Sequence, residues 1–393
     1  MKQTDCEVAV LAPLPAPYTT SVWNQLARLM DGRLEVCFLS LTNSLRRWRL
    51  QEKEMGFAWR ILGRDRTEGL LSQLKAAGAL LRFLMERRPT TLICGGYDSP
   101  AAWVGLLWCR LLRSRLVLAC DSNARDCRKG GALRNRAKRF FVAHSDAVAV
   151  PGRAAFQYAR ELGASEGRIF TVPFGLDTRL FACGAQGMDP AAEKRSQGWP
   201  PRLILFAGRL VEEKGVFVLL EAYRQVSRNL PGVGLLFVGE GPARPEMAEY
   251  CREASLPGVF FGGAQDYKDM PYFYALADIL VLPTFSDAYG YVVIEAFACG
   301  VPAIVSTVAG VCDDFLRDGE TGFAVTPGDA AALARRITEV LGDDVLRARM
   351  SANCRRIVEG YSPEACAEGL LAAASGGTSA RSVGLGTVAT GSP

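Results

Sequence analysis

The sequence predicts an α/β protein built as two doubly wound domains in tandem, and three observations carry that expectation. Short apolar runs of strand length alternate with segments of helical period along most of the chain, the pattern of parallel sheets covered by helices on both faces. The alternation stops once, at 182–201, where Gly, Ala and Pro dominate without a period; such a stretch reads as an interdomain linker. The 393 residues also exceed what one domain of roughly 150 residues holds.

In order, a buried strand over 7–12 leads through a proline-rich turn to a helical pattern at 21–30 and a second strand at 34–41. Helices follow at 70–88, 100–112, 133–142 and 154–162, alternating with strands at 91–94, 115–120, 148–150 and 169–172. This first domain is expected over 1–181. The second series, expected over 202–360, places strands at 203–206, 234–238, 259–261, 279–282 and 303–306. Helices lie between them at 216–226, 242–254, 270–277 and 292–299. Residues 376–393, rich in Gly, Ser, Thr and Ala, read as a disordered tail.

Composition narrows the function. Hydrophobic residues make up 49% and charged residues 22%, ordinary globular usage. The longest apolar stretch, 101–109, is far short of a bilayer-spanning helix. The start of the chain has no signal-peptide pattern, so a cytoplasmic location is expected. The 12 cysteines include no Cys-x-x-Cys pair and many fall in apolar runs, among them Cys37, Cys94, Cys109 and Cys299; reduced core thiols are expected, and no metal site. The single histidine, His144, rules out a histidine-rich metal site. Residues 1–180 hold 28 Lys and Arg against 16 Asp and Glu, whereas the remainder holds 18 against 25. A basic first half suits a phosphate-bearing ligand, an anionic membrane face or nucleic acid. No recognised nucleic-acid module accompanies it, so no nucleic-acid partner is expected.

Two stretches carry chemistry. Ala207-Gly-Arg-Leu-Val-Glu-Glu-Lys-Gly215 follows a strand and precedes a helix, so Gly208 admits close backbone approach while Arg209 and Lys214 bring positive charge to the strand's end. In the stretch 283–302, Asp287 lies in a loop, Gly290 opens a helix and Glu295 sits on its second turn. Helix-start amides there suit an anion, and the two carboxylates can accept hydrogen bonds from sugar hydroxyls. Each stretch by itself also fits an ordinary turn or helix cap.

Together these stretches, with the Gly239-Glu-Gly-Pro242 turn, Gly310, Asp318-Gly-Glu-Thr-Gly322 and Pro173-x-Gly-Leu-Asp177, resemble the retaining glycosyltransferases of family 4, the glycosyl transferases group 1. The resemblance is close over 170–373 and architectural before that. It implies the GT-B fold, two Rossmann-like domains facing across a cleft, with a terminal helix at 361–375 returning to the first domain. It implies a nucleoside diphosphate sugar, UDP- or GDP-linked, as co-substrate, no other cofactor, and hexosyl transfer with retention to a hydroxyl of a saccharide or lipid-linked acceptor in polysaccharide or glycoconjugate assembly. Arg209 and Lys214 would contact the diphosphate beside Gly208, Glu295 the ribose, and Asp287, where the family has glutamate, the transferred sugar. The amides around Tyr289, Gly290, Tyr291 and Val292 would hold the distal phosphate, and the loop with Gln265 and Tyr267 the base.

The first domain departs from the pattern. Many relatives carry a histidine after its fifth strand; here the segment reads Cys120-Asp-Ser-Asn-Ala-Arg-Asp126, which makes Asp121 the candidate polar group near the anomeric carbon. His144 comes too late for that role. Tyr18, Tyr97 and Asp98 are the acceptor-side candidates. Arg46–Arg49, Arg125–Lys129 and Arg134–Phe141, with interleaved aromatics, suit peripheral attachment to an anionic membrane face. The competing reading is an inactive GT-B partner or scaffold. A nicotinamide oxidoreductase is disfavoured because no Gly-x-Gly-x-x-Gly opens either domain.

Overall fold

The computed structural model describes residues 6–41, 52–63, 69–125, 131–184 and 187–377; the tail expected from 376 lies outside them beyond 377, as do Arg46–Arg49 and Arg128–Lys129. The chain divides into two compact units. One comprises 1–121, 129–177 and 360–393, the other 122–128 and 178–359.

Among its described residues the first unit holds seven parallel strands: β1 (Val8–Ala12), β2 (Leu34–Phe38), β3 (Ala58–Ile61), β4 (Thr91–Cys94), β5 (Arg115–Ala119), β6 (Ala147–Val150) and β7 (Ile169–Thr171), ordered β3-β2-β1-β4-β5-β6-β7. Its helices are α1 (Pro17–Leu29), α2 (Leu70–Arg87), α3 (Pro100–Leu112), α4 (Ala132–Ala143) and α5 (Arg153–Glu161). Alternate residues of β1 feed two cores: Ala9 and Leu11 join the residues of α2 to α5, and Val8, Val10 and Ala12 join those of α1 on the opposite face. The last helix of the described residues, Pro363–Ser375, lies in this second core through Ala367, Leu370 and Ala373. Its register is held by Arg115 Nε, which donates to the Ala373 carbonyl at 2.9 Å. Strand β3 has no counterpart in the sequence pattern because it is a half-exposed edge strand of four residues, without the apolar run that marks a central one.

The second unit begins with two short helices, α6 (Thr178–Cys183) and α7 (Pro190–Ser196). Its six parallel strands are β8 (Arg202–Ala207), β9 (Val233–Val238), β10 (Val259–Gly263), β11 (Ile279–Leu282), β12 (Ala303–Ser306) and β13 (Gly322–Val325), ordered β10-β9-β8-β11-β12-β13. The intervening helices are α8 (Val216–Asn229), α9 (Arg244–Glu253), α10 (Met270–Leu276), α11 (Tyr291–Ala298), α12 (Val311–Phe315), α13 (Ala330–Gly342) and α14 (Asp344–Ile357), so that the returning terminal helix is α15. The stretch 182–201, expected as linker, is instead part of this unit. Asp189 caps α7, and Lys194, 6% exposed, donates from Nζ to Asp278 Oδ2 at 2.6 Å and to the Pro201 carbonyl at 2.9 Å. The same Asp278 oxygen accepts the Leu203 amide at 2.8 Å. A buried ammonium with a carboxylate partner anchors the helix where its composition carries no apolar period.

The ten described cysteines form no disulfide. Burial pushes the Cys109 and Cys299 thiols up to about 12. No helix among the described residues is long and apolar enough to cross a membrane.

Candidate functional site

In open parallel sheets ligands sit beyond the carboxyl ends of the strands where strand order reverses. In the second sheet that point lies between β8 and β11, and the two motifs singled out in the sequence are the loops that follow these two strands. They touch through their backbones. Gly215 adopts φ 71°, and a Cβ there would lie 2.0 Å from the Pro283 carbonyl oxygen, so only glycine allows the approach. The Phe285 amide donates to the Glu213 carbonyl at 2.8 Å, and the Thr284 hydroxyl to the same oxygen at 3.1 Å.

This junction brings Lys214 and Asp287 together: Lys214 Nζ lies 2.7 Å from Asp287 Oδ2 and 3.0 Å from the Ser286 carbonyl oxygen. Both side chains are mostly buried, 15% and 20% exposed. The positive charge that Lys214 brings to the strand's end is thus matched by a carboxylate in this structure. The guanidinium of the half-buried Arg209 has no hydrogen-bond or ion-pair partner among the described residues. Gly208, at the end of β8, donates its amide to the Val238 carbonyl at 2.9 Å.

The second Asp287 oxygen accepts the Tyr289 amide at 3.2 Å, an Asx turn that leads the chain into α11. Gly290 stands at the N-cap with φ 98°, and a Cβ there would meet Val311 and Leu282 at 3.1 and 3.2 Å. The N-cap residue Gly290 has no side chain to cap α11, and the positive end of the helix dipole lies at this start, next to the Asp287 turn. Tyr289 is buried, and its hydroxyl donates to Asp314 Oδ2 at 3.2 Å.

Asn123 and Arg125 belong to this unit and were missed as site residues. Asn123, 3% exposed, donates from Nδ2 to the Ala288 carbonyl at 2.6 Å and to the Asp287 carbonyl at 3.3 Å, and its Oδ1 accepts the Arg125 amide at 2.8 Å. Arg125 makes a two-pronged pair with Asp313, both contacts at 2.9 Å. The polar segment 120–126 was the visible signal; its partners lie more than 160 residues away in sequence.

Glu295 is buried on α11, and one oxygen accepts the Tyr274 hydroxyl at 2.7 Å. Burial pushes its carboxyl up to about 7, partly opposed by that hydrogen bond. Gln265 turns back on its own strand end, donating to the Gly262 carbonyl at 2.6 Å, and the Tyr267 ring packs edge-on against Phe181 at 5.4 Å.

The remaining candidates lie in the first unit, where a cavity of about 230 Å³ occupies the corresponding reversal point between β1 and β4. Pro13, Gln73, Gly95, Asp98 and Ser99 are among its lining residues. Tyr97 is not: it is 6% exposed, packed against Phe141 at 6.2 Å and facing Lys138 Nζ at 5.6 Å. Its ring belongs to the core beneath the loop. Asp98 pairs with Arg134 at 3.0 Å. Tyr18 is half-buried against Phe174 at 5.3 Å, and Asp121 is exposed just past β5. His144 ends α4 stacked on Phe140 at 4.0 Å. No cluster of three His, Cys, Asp or Glu arranged for a metal occurs among the described residues.

Residues 191–357 match the family model for glycosyl transferases group 1, and residues 16–175 that for a glycosyl transferase 4-like domain. Residues 191–357 thus carry a group 1 glycosyltransferase domain. Similar proteins include the lipopolysaccharide core biosynthesis glycosyltransferase LpsE of Rhizobium meliloti, 36% identical over 43% of this chain and 48% of that protein. The D-inositol 3-phosphate glycosyltransferase of Nocardia farcinica is 31% identical over 57% of this chain and 51% of its own length. The chain thus spans about half the length of those two relatives. The crystal structure of Anabaena HepE with UDP and glucose superimposes with a TM-score of 0.77 at 18% identity, covering 94% of this chain and 99% of that one. The fold is GT-B.

Two outcomes follow from this geometry. Because the Glu295 carboxyl is raised in the folded state, its stabilising contribution is complete below about pH 4.5 and is lost as pH rises through about 7. Glu295→Gln, which keeps an acceptor for Tyr274, gains on the wild type by up to about 3 kcal/mol between those limits, read from urea unfolding midpoints at pH 5 and pH 8; an unchanged difference contradicts the assignment. At position 123, Asp destabilises more than Ala, because a buried carboxylate would face two carbonyl oxygens. Thermal midpoints in the reverse order would show that the Nδ2 bonds do not hold the loop.

Proposed function

We propose that the chain transfers a hexosyl group from a nucleoside diphosphate sugar to a hydroxyl of a saccharide or lipid-linked acceptor, with retention at the anomeric carbon and without a metal ion. The observation that carries the reading is the junction of the β8 and β11 loops, where Arg209, the Lys214–Asp287 pair and the glycine-opened start of α11 converge at the sheet's reversal point. In this reading the bond from the anomeric carbon to the diphosphate breaks while the acceptor oxygen bonds to that carbon. The acceptor proton passes to the departing phosphate, so no protein nucleophile is needed. Charge growing on the diphosphate meets Arg209, Lys214 and the α11 amides already in place.

Asp287 would exchange part of its contact with Lys214 for a sugar hydroxyl, and the free oxygen of Glu295 would take the ribose. Gln265 and Tyr267 would border the base, and Asp121 would serve the reacting face. HepE was crystallised with UDP, which makes UDP the first base to try. No further cofactor is required, since the nucleotide sugar is itself a substrate.

The test is thermal stabilisation by UDP, GDP, ADP, dTDP and CMP, followed by titration of the best. One nucleoside diphosphate should stabilise the wild type, and Arg209→Ala should bind it about 10- to 100-fold more weakly, the worth of a charge-assisted phosphate contact. No stabilisation by any of them, or unchanged affinity in Arg209→Ala, would contradict the donor-site reading.

A further inference from the structure

Segment 122–128 is the part of the second unit that stands apart from 178–359 in sequence. From it, Asn123 Nδ2 donates to the Asp287 and Ala288 carbonyls at 3.3 and 2.6 Å. The following carbonyl, of Tyr289, accepts at 2.8 Å the amide of Val311, the first residue of α12. Arg125 holds that helix through both oxygens of Asp313, at 2.9 Å each. The Arg125 amide donates to Asn123 Oδ1 at 2.8 Å, so one short turn of chain places both side chains.

Carbonyls anchored on one side set the direction of the amides that follow them. In a trans peptide group the N–H points opposite to the carbonyl, and no peptide bond among the described residues is cis. Bonding of the 287, 288 and 289 carbonyls to Asn123 and α12 therefore turns the Ala288, Tyr289 and Gly290 amides away from those partners. The Tyr289 amide meets Asp287 Oδ1 at 3.2 Å, whereas those of Ala288 and Gly290 have no acceptor among the described residues. Both residues are buried, and a buried amide is rarely left without an acceptor unless a ligand or water completes it. Consecutive amides turned to one side suit an anion. Packing keeps them so: a Cβ at Gly310 would lie 2.6 Å from the Ala288 carbonyl oxygen and 3.3 Å from Asn123 Nδ2, which puts the start of α12 directly against the bonded carbonyl.

We infer, resting on the donor-site reading above, that Asn123 and Arg125 are positioning residues for the diphosphate. Asn123 anchors the Asp287 and Ala288 carbonyls, and Arg125 anchors, through Asp313, the helix that holds the Tyr289 carbonyl. The Ala288 and Gly290 amides are thereby aimed at the distal phosphate. Neither side chain touches the ligand in this role. Without the anchors the peptide groups can rotate, and a carbonyl turned toward a phosphate repels it where an amide attracts it. Amides oriented before the ligand arrives cost no reorganisation as charge is bound or grows.

The experiment is titration calorimetry of the full chain with UDP and with UMP, which keeps base, ribose and the proximal phosphate but lacks the distal one; GDP and GMP replace them if the wild type binds guanosine. Asn123→Ala, Arg125→Ala and Asp313→Ala should each weaken the diphosphate by about five-fold or more and the monophosphate by less than about two-fold, as expected when hydrogen bonds to one phosphate are lost. The double variant Arg125→Ala, Asp313→Ala should bind the diphosphate as weakly as either single variant, because both remove the same pair. Arg125→Lys, which keeps the charge without the two-pronged contact, should fall between wild type and Arg125→Ala. The pair at 125 and 313 carries the test if Asn123→Ala fails to fold. Equal weakening of diphosphate and monophosphate, additive losses at 125 and 313, or diphosphate affinity that falls in Arg209→Ala but not in these variants would overturn the positioning role alone. Binding of neither diphosphate by the wild type would overturn the donor-site reading and this role with it.

Discussion

The adjacency of β8 and β11 is the constraint on which the rest of the second unit depends. Strand order reverses between them, so the loops leaving their carboxyl ends diverge to opposite faces of the sheet and leave a crevice. Here the loops also bind each other: a glycine at 215 lets Pro283 approach, the Glu213 carbonyl takes two donors from the second loop, and Lys214 and Asp287 close the contact. An ion pair of this kind is weak evidence for net stability, because desolvation of both groups offsets their attraction. Its consequence is positional. It fixes an ammonium and a carboxylate in the turn that leads into α11, and Asn123 holds the carbonyls of the same turn.

The charge balance of the site follows from that geometry. Lys214 and Asp287 neutralise each other and Glu295, with its carboxyl raised to about 7, is part protonated near neutrality. Arg209 is the cation there without a partner among the described residues. A ligand bearing negative charge would therefore draw first on Arg209 and the α11 dipole, and would gain the ammonium as Asp287 turned to other hydrogen bonds. Under the proposed reaction, Arg209 and the α11 dipole would meet growing charge in place, whereas Lys214 would be released to it by rearrangement of Asp287.

Much of this was legible in the chain because central parallel strands are buried on both faces and read as apolar runs; 203–206 and 279–282 are wholly so. The motifs were legible because glycine and charge at a strand's end have few other uses. What escaped has a common cause, dependence on distant partners. Helix α7 is short and polar and is held by Asp278, Asn123 is one amide in a polar loop until Ala288 is beside it, and Tyr97 looks like a loop residue until Phe141 covers it. The sequence marked both Lys214 and Asp287 but could not show that they meet.

The central claim is that the β8 and β11 loops form one ligand site. Hydrogen–deuterium exchange of the full chain, with and without a saturating nucleoside diphosphate, tests it most directly. The account predicts added protection concentrated in peptides covering 208–215 and 286–293. Protection confined to the first unit, or absent from both loops while the nucleotide is bound, would contradict it.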